Sequence, residues 1–235
     1  MDKDTVNIPD DKILGETVGM RRLLVLSALA SLSAFSFAQS FGPTPYLQTS
    51  DSPFLALGVS NFNLEDFEDN LFNITGVTKD NGNPYTNGSN GDSVDGDDGA
   101  VDGSGLKGHS LFSSGGSAGV TFTFSQAVLG TLPTYAGVVW TDGAGTITFE
   151  AWDQNGVSLG TLVGNHADGS FAGQTAEDRF YGWHNAGGIS KIKLKNASGG
   201  IELDHLQYGY ESVPEPATMG LLGLGALALS RRKKS

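Results

Sequence analysis

Between residues 39 and 212, hydrophobic and polar positions alternate with period two over most of the chain. In Val120-Thr121-Phe122-Thr123-Phe124 the large apolar residues fall on one face and the threonines on the other, as in a strand with one side buried. The stretch 146–152 repeats the pattern, with Ile147, Phe149 and Ala151 inward and Thr148, Glu150 and Trp152 outward. So does 189–195, where Ile192 and Leu194 face in while Lys191, Lys193 and Lys195 face water. Further strands are predicted over 54–62, 136–140, 157–163, 178–183 and 201–210. Turn chemistry separates them, as in Asp142-Gly143-Ala144-Gly145 and Asn155-Gly156, where glycine and Asx residues favour reversal. About eight or nine short strands at this spacing predict an all-β chain, an antiparallel β-sandwich or jelly roll.

Two places break the rhythm. From 80 to 119 the chain is dominated by Gly, Asp, Asn and Ser, around GSNGDSVDGDDGAVDGSG. A loop this long inside a compact domain is either functional or disordered, with a brief strand expected at 109–112. In 201–210, Ile201 and Leu203 share one face but Leu206 and Tyr208 belong to the other. The slip falls at Asp204-His205 and predicts a bulge, a device that re-aims side chains.

Near each end of the chain lies a run that is uniformly apolar rather than alternating. Met20 is followed by Arg21 and Arg22, a run of apolar residues over 23–32, and Ser36-Phe37-Ala38. These are the three regions of a secretory signal peptide, residues 20–38, handled by the Sec export machinery and cut after Ala38. The acidic stretch 1–19, with Asp2, Asp4, Asp10, Asp11 and Glu16, is either a start codon assigned too far upstream or a genuine extension. At the other end, 213–235, Pro214-Glu215-Pro216 precedes an uncharged Gly/Leu/Ala segment, 217–230, that closes on Arg231, Arg232, Lys233 and Lys234. A docked helix would carry a polar stripe, and this segment has none. At about 14 residues it falls short of the roughly 20 of a comfortable span, and its basic end belongs on the cytoplasmic side.

That order of triplet, hydrophobic sorting helix and basic end resembles the PEP-CTERM sorting signal of Gram-negative bacteria. The resemblance implies an exosortase-type processing enzyme as a partner and an inner-membrane precursor held by its tail. After cutting near Pro214-Glu215-Pro216, the protein is expected at the cell surface or in the extracellular matrix, in company with extracellular polysaccharide.

Composition narrows the body further. The chain has 235 residues and no cysteine, so an exported fold stands on its core or on bound ions rather than disulfides. Its formal net charge is −12, and several of its 14 lysines and arginines lie in the two terminal signals. An acidic surface repels nucleic acid phosphate and suits divalent cations or solubility. The 34 glycines with only 17% charged residues fit a turn-rich β fold.

Candidate chemistry lies in acids and aromatics. Asp92, Asp95, Asp97, Asp98 and Asp102 crowd the long loop, and calcium takes oxygens from such carboxylates. Asp95 and Asp97 open an EF-hand-like spacing, but Gly99 and Leu106 occupy its fifth and twelfth positions; a calcium loop of another kind and a solvated loop both stand. A second cluster, Glu65, Asp66, Glu68 and Asp69, taken with Asp204, resembles galactose-binding-like jelly rolls and carbohydrate-binding modules in outline. That resemblance implies a structural calcium shared by Glu65, Asp66, Asp69 and Asp204. The alternative is that Leu64, Phe67 and Leu71 pack inward and the acids stay solvated. For a ligand, Trp152 and Glu150 on one strand face, Arg179 after a Gly-rich turn, and His205 at the bulge are the candidates, although Arg179 also suits an ion pair at a strand edge. No nucleophile elbow, zinc motif or phosphate loop is present, so no enzyme is expected. The reading is an exported, surface-sorted binding module associated with matrix or exopolysaccharide. The alternatives are a purely structural matrix protein without a discrete ligand and, behind it, a glycan-active hydrolase.

Overall fold

A computed structural model describes residues 38–86, 91–94, 108–170 and 177–212. The expected signal region before Ala38, the sorting tail from 213, and Asp95 and Asp97 lie outside them. The alternating stretches form antiparallel strands in two sheets. One sheet runs β1 (Gln39–Pro45), β10 (Arg179–His184), β7 (Tyr135–Ala144), β12 (Ser198–Tyr210), β5 (His109–Ser113) and β4 (Asn83–Thr86), with β2 (Ser60–Glu65) also paired to β12. The other runs β3 (Val77–Lys79), β6 (Val120–Phe124), β11 (Ile189–Lys195), β8 (Ile147–Asp153) and β9 (Ser158–Gly164).

Their facing sides bury one core. Phe122, Phe149, Ile192 and Leu194 of the five-stranded sheet pack with Val138, Trp140, Tyr181, Ile201 and Leu203 of the seven-stranded sheet. This is the expected sandwich, and it buries the faces that alternation marks as apolar. The expected turns are also where they should be: Gly145 (φ +77) lies between β7 and β8, and Gly156 (φ +75) between β8 and β9. Asp142 to Ala144, however, continue β7 instead of starting the turn.

Two expectations need correcting. The stretch 54–62 is not one strand. Ser52 caps a one-turn helix, Pro53–Ala56, by accepting from the Phe54 amide at 3.2 Å, and Pro53 sits in its first turn, where a missing N–H does no harm. The strand begins only at Ser60. The long loop is also shorter than 80–119, because β4 and β5 pair near its two ends, from Asn83↔Phe112 to Thr86↔His109.

The helical turn supplies Phe54 to a second apolar cluster, with Tyr46, Val94, Val139 and Phe180. This cluster covers part of the outer face of the seven-stranded sheet, so that sheet is buried on both sides there.

The bulge falls where alternation slips. The β12–β7 register shifts between Asp204 and Gln207, and His205 takes φ +42, a left-handed conformation that few non-glycine residues adopt. As a result Ile201, Leu203, Leu206 and Tyr208 all reach the same core. The polar residues between them turn outward beneath the second cluster. There Ser52 Oγ donates to Gln207 Oε1 at 2.6 Å, and Gln207 Nε2 donates to the Tyr46 hydroxyl at 2.7 Å. The same hydroxyl lies within hydrogen-bond distance of His205 Nδ1, 3.0 Å away. Removing a member of a buried, satisfied network costs about 1–3 kcal/mol. Tyr46→Phe should therefore lower the unfolding free energy by about that amount at unchanged denaturant m-value, measured by urea titration.

Candidate functional site

The four acids expected to share calcium do not converge. Glu65 is buried and already serves the backbone: its carboxylate accepts from the amides of Phe67 (3.3 Å), Asn73 (2.9 Å) and Ile74 (2.8 Å). It thereby folds the loop after β2 back on itself and buries Phe67, while Leu71 stays exposed. Asp66 accepts from the Glu68 amide, and Asp69 from the Leu71 amide and Asn73 Nδ2, so both act as local turn formers. Asp204 is wholly buried on β12 and accepts from the amides of Val94 (2.9 Å) and His205 (2.6 Å). Among the described residues, no group of three His, Cys, Asp or Glu is placed to hold a metal.

The expected ligand residues are likewise dispersed. Glu150 and Trp152 lie on the outer face of the five-stranded sheet, where Glu150 accepts from Ser158 Oγ at 2.6 Å and Lys191 Nζ stands 4.4 Å from the Trp152 ring centroid. His205 is wholly buried beneath Tyr46 in the other sheet. Arg179 begins β10, an interior strand, and donates to the Asp178 carbonyl at 2.7 Å.

Register assembles a different site. Asn83 pairs with Phe112, Phe112 with Glu202, and Glu202 with Asp142, giving one row across β4, β5, β12 and β7. Directly paired residues project from the same face. Ile201 and Leu203 point into the core, so the row lies on the outer face. Phe112 is 37% exposed there, and its ring lies 5.8 Å from that of Tyr85, itself 39% exposed. Beside Phe112 opens a cavity of about 450 Å³ lined by Asp142, Glu202, Ser114, Ser170 and the backbone at Gly143, Gly199 and Gly200. Asn196 braces its floor, accepting from Trp140 Nε1 at 2.8 Å and donating to the Gly200 carbonyl.

The site is a concentration of buried acid. Glu202 Oε2 accepts from the Asp92 amide at 2.6 Å, yet burial, and then the neighbouring Asp142 and Asp204, push its carboxyl up to about 8. Asp142 and Glu177 share a hydrogen bond, and burial raises both. Glu177 is the member that keeps the proton, and its own oxygen accepts from the Asp168 amide at 2.6 Å. At neutral pH the wall thus offers a carboxyl donor at Glu202 and a carboxylate acceptor at Asp142.

These residues are only partly legible in the sequence. Glu202 shows only as the polar position between Ile201 and Leu203. Asp142 reads as a turn former because Gly143 follows it. Nothing local marks Phe112 as their neighbour.

Raised carboxyls couple stability to pH with a definite sign. The folded state holds protons that the unfolded chain releases above its ordinary carboxyl pKa of about 4.5. The stabilisation is therefore complete at acid pH and is lost as pH climbs towards 8. In chelator, Tm should fall from pH 5 to pH 8 by several degrees, at about 2–4 °C per kcal/mol for a chain of this size. Glu202→Gln should flatten the profile in calorimetry.

The model of the PEP-CTERM protein-sorting motif matches residues 212–234. A search of curated protein sequences gives no match. Among solved structures, the chain is similar to the C-terminal family 22 carbohydrate binding module of Clostridium thermocellum Xyn10B, at 12% identity over 68% of this chain and 98% of that one, TM-score 0.34. It is also similar to the enzymatically active domain of Bacteriophage CBA120 tailspike protein 4, at 14% identity over 71% of this chain and 22% of that one, TM-score 0.27. At these TM-scores the likenesses carry no functional argument. The sorting motif does: it marks an exported, surface-sorted protein whose membrane-anchored precursor has an exosortase as its processing partner.

Proposed function

We propose that the exported domain is a carbohydrate-binding module of the cell surface or its matrix, and that the Phe112–Glu202–Asp142 row is its sugar-contacting site. One observation carries the proposal: an exposed aromatic pair adjoins a polar cavity on the sheet face. Aromatic rings take the apolar faces of pyranoses, and ligand sites combine such surfaces with a few placed polar groups. Tyr85 and Phe112 supply the rings. Glu202 and Asp142 supply donors and acceptors for hydroxyls, and the glycines let a sugar approach the backbone. A volume of about 450 Å³ lies in the range of small-ligand sites. Calcium enters only as an accessory, through Asp95 and Asp97 of the acidic loop.

The test is a glycan array read in chelator and again in calcium. Phe112→Ala should weaken binding to the preferred glycan by about tenfold or more, the value of a stacked ring. Silence of the unaltered protein on every glycan, in both conditions, would favour a structural matrix component. Release of reducing ends would instead identify a hydrolase.

The sorting reading has its own test. Replacing Pro214, Glu215 and Pro216 by alanine should leave the uncut precursor in the membrane fraction, scored by its mass. Normal processing of that variant would remove the exosortase step.

A further inference from the structure

The body contains few cations: between residues 39 and 212 they are Lys79, Lys107, Arg179, Lys191, Lys193 and Lys195, against twenty aspartates and glutamates. Half of them sit on β11, the central strand of the five-stranded sheet. They alternate with Ile192 and Leu194, which are wholly buried in the core. All three lysines therefore lie on the outer face, at intervals of about 6.7 Å, twice the rise of a strand.

The register shows what surrounds them. Thr123 and Trp152 flank Lys191, Thr121 and Glu150 flank Lys193, and Thr148 lies beside Lys195. Lys191 rests on the Trp152 ring, and Glu150 is engaged with Ser158. Among the described residues, none of the three lysines forms an ion pair. An acidic domain thus presents a row of three lysines in no close ion pair, with the Glu150 carboxylate beside Lys193, set among threonine hydroxyls on the outer face of the sheet.

We propose that this face binds a carboxylated polysaccharide, with Lys191, Lys193 and Lys195 each taking a carboxylate and the flanking threonines taking hydroxyls. The surface is separate from the Phe112 cavity, which belongs to the other sheet, and the proposal does not rest on that site's function. Charge complementarity selects an anionic partner, and the row fits an extended, linear one. Charge density then favours a polysaccharide over nucleic acid. Duplex DNA carries a charge about every 1.7 Å of its axis and meets strong repulsion from the acids elsewhere on the domain, whereas a glycan with one carboxylate per sugar meets less. Single strands bind by stacking bases on free aromatic faces, and the Trp152 face is capped by Lys191.

The experiment is affinity electrophoresis of the purified protein through gels containing polygalacturonate, neutral dextran or DNA, with flotation on anionic phospholipid vesicles in parallel. The unaltered protein should be retarded by polygalacturonate and not by dextran, and about 0.5 M salt should release it, since exposed charges are screened at that strength. Replacing Lys191, Lys193 and Lys195 together by glutamine should weaken retention roughly tenfold without moving Tm. The triple arginine variant should retain binding, and so should Phe112→Ala, which separates this surface from the cavity. Undiminished retention of the glutamine variant would overturn the proposal, as would equal retention by dextran, or stronger binding to DNA or vesicles than to polygalacturonate.

Discussion

The fold turns on how β12 is held. This strand pairs with β7 along one edge, and with β5 and then β2 along the other, so nearly everything in the seven-stranded sheet is positioned relative to it. A strand that long cannot keep a strict period of two and still bury Ile201, Leu203, Leu206 and Tyr208 in one core. The extra residue at Asp204–His205 resolves the conflict by changing the face that alternation selects. At the bulge the His205 ring and the Gln207 amide both meet the Tyr46 hydroxyl, so the unusual His205 φ goes with paired side chains inside the protein.

The same bulge decides what lies on the other side. Before it, Glu202 and Asp204 face outward. After it, Gln207 does. The segment 91–94 and the 46–54 region close over them, with Val94 and Asp92 donating backbone amides to Asp204 and Glu202. Burying several carboxyls together is unfavourable unless some remain protonated or accept hydrogen bonds, and both happen here. Where this cover stops, the row opens into the cavity beside Phe112. The acids are hence structural under the cover and available to a ligand beyond it.

The two outer faces of the sandwich differ in kind. The seven-stranded sheet presents aromatics and protonatable acids in a concavity. The five-stranded sheet presents a flat field of threonine and lysine. An exported domain without disulfides gains from this division, because each face contacts the surroundings while the shared core of large apolar residues keeps the sheets in register. In the proposed roles, association through lysine would be electrostatic and salt-sensitive, whereas contact in the cavity would depend on stacking and directed hydrogen bonds.

Local sequence determined a good deal of this. Alternation at 120–124, 146–152 and 189–195 gave the buried faces of β6, β8 and β11 and the lysine row, because side-chain direction in a strand follows from position alone. The slip at Asp204-His205 located the bulge, and the tail announced the sorting motif by residue order. Expectations failed where a second local signal competed with alternation, or where the partner lies elsewhere in the chain. Ser52 and Pro53 turned the start of 54–62 into a helical cap, a contest between local signals that alternation does not register. Glu65 and Asp204 look like ligands until the amides that occupy them are known. The Phe112–Glu202–Asp142 row exists only because strands far apart in sequence pair in one register, and no local pattern encodes which residue will stand opposite which. Periodicity assigns each residue a face; only the hydrogen-bonded ladder between strands assigns its neighbours.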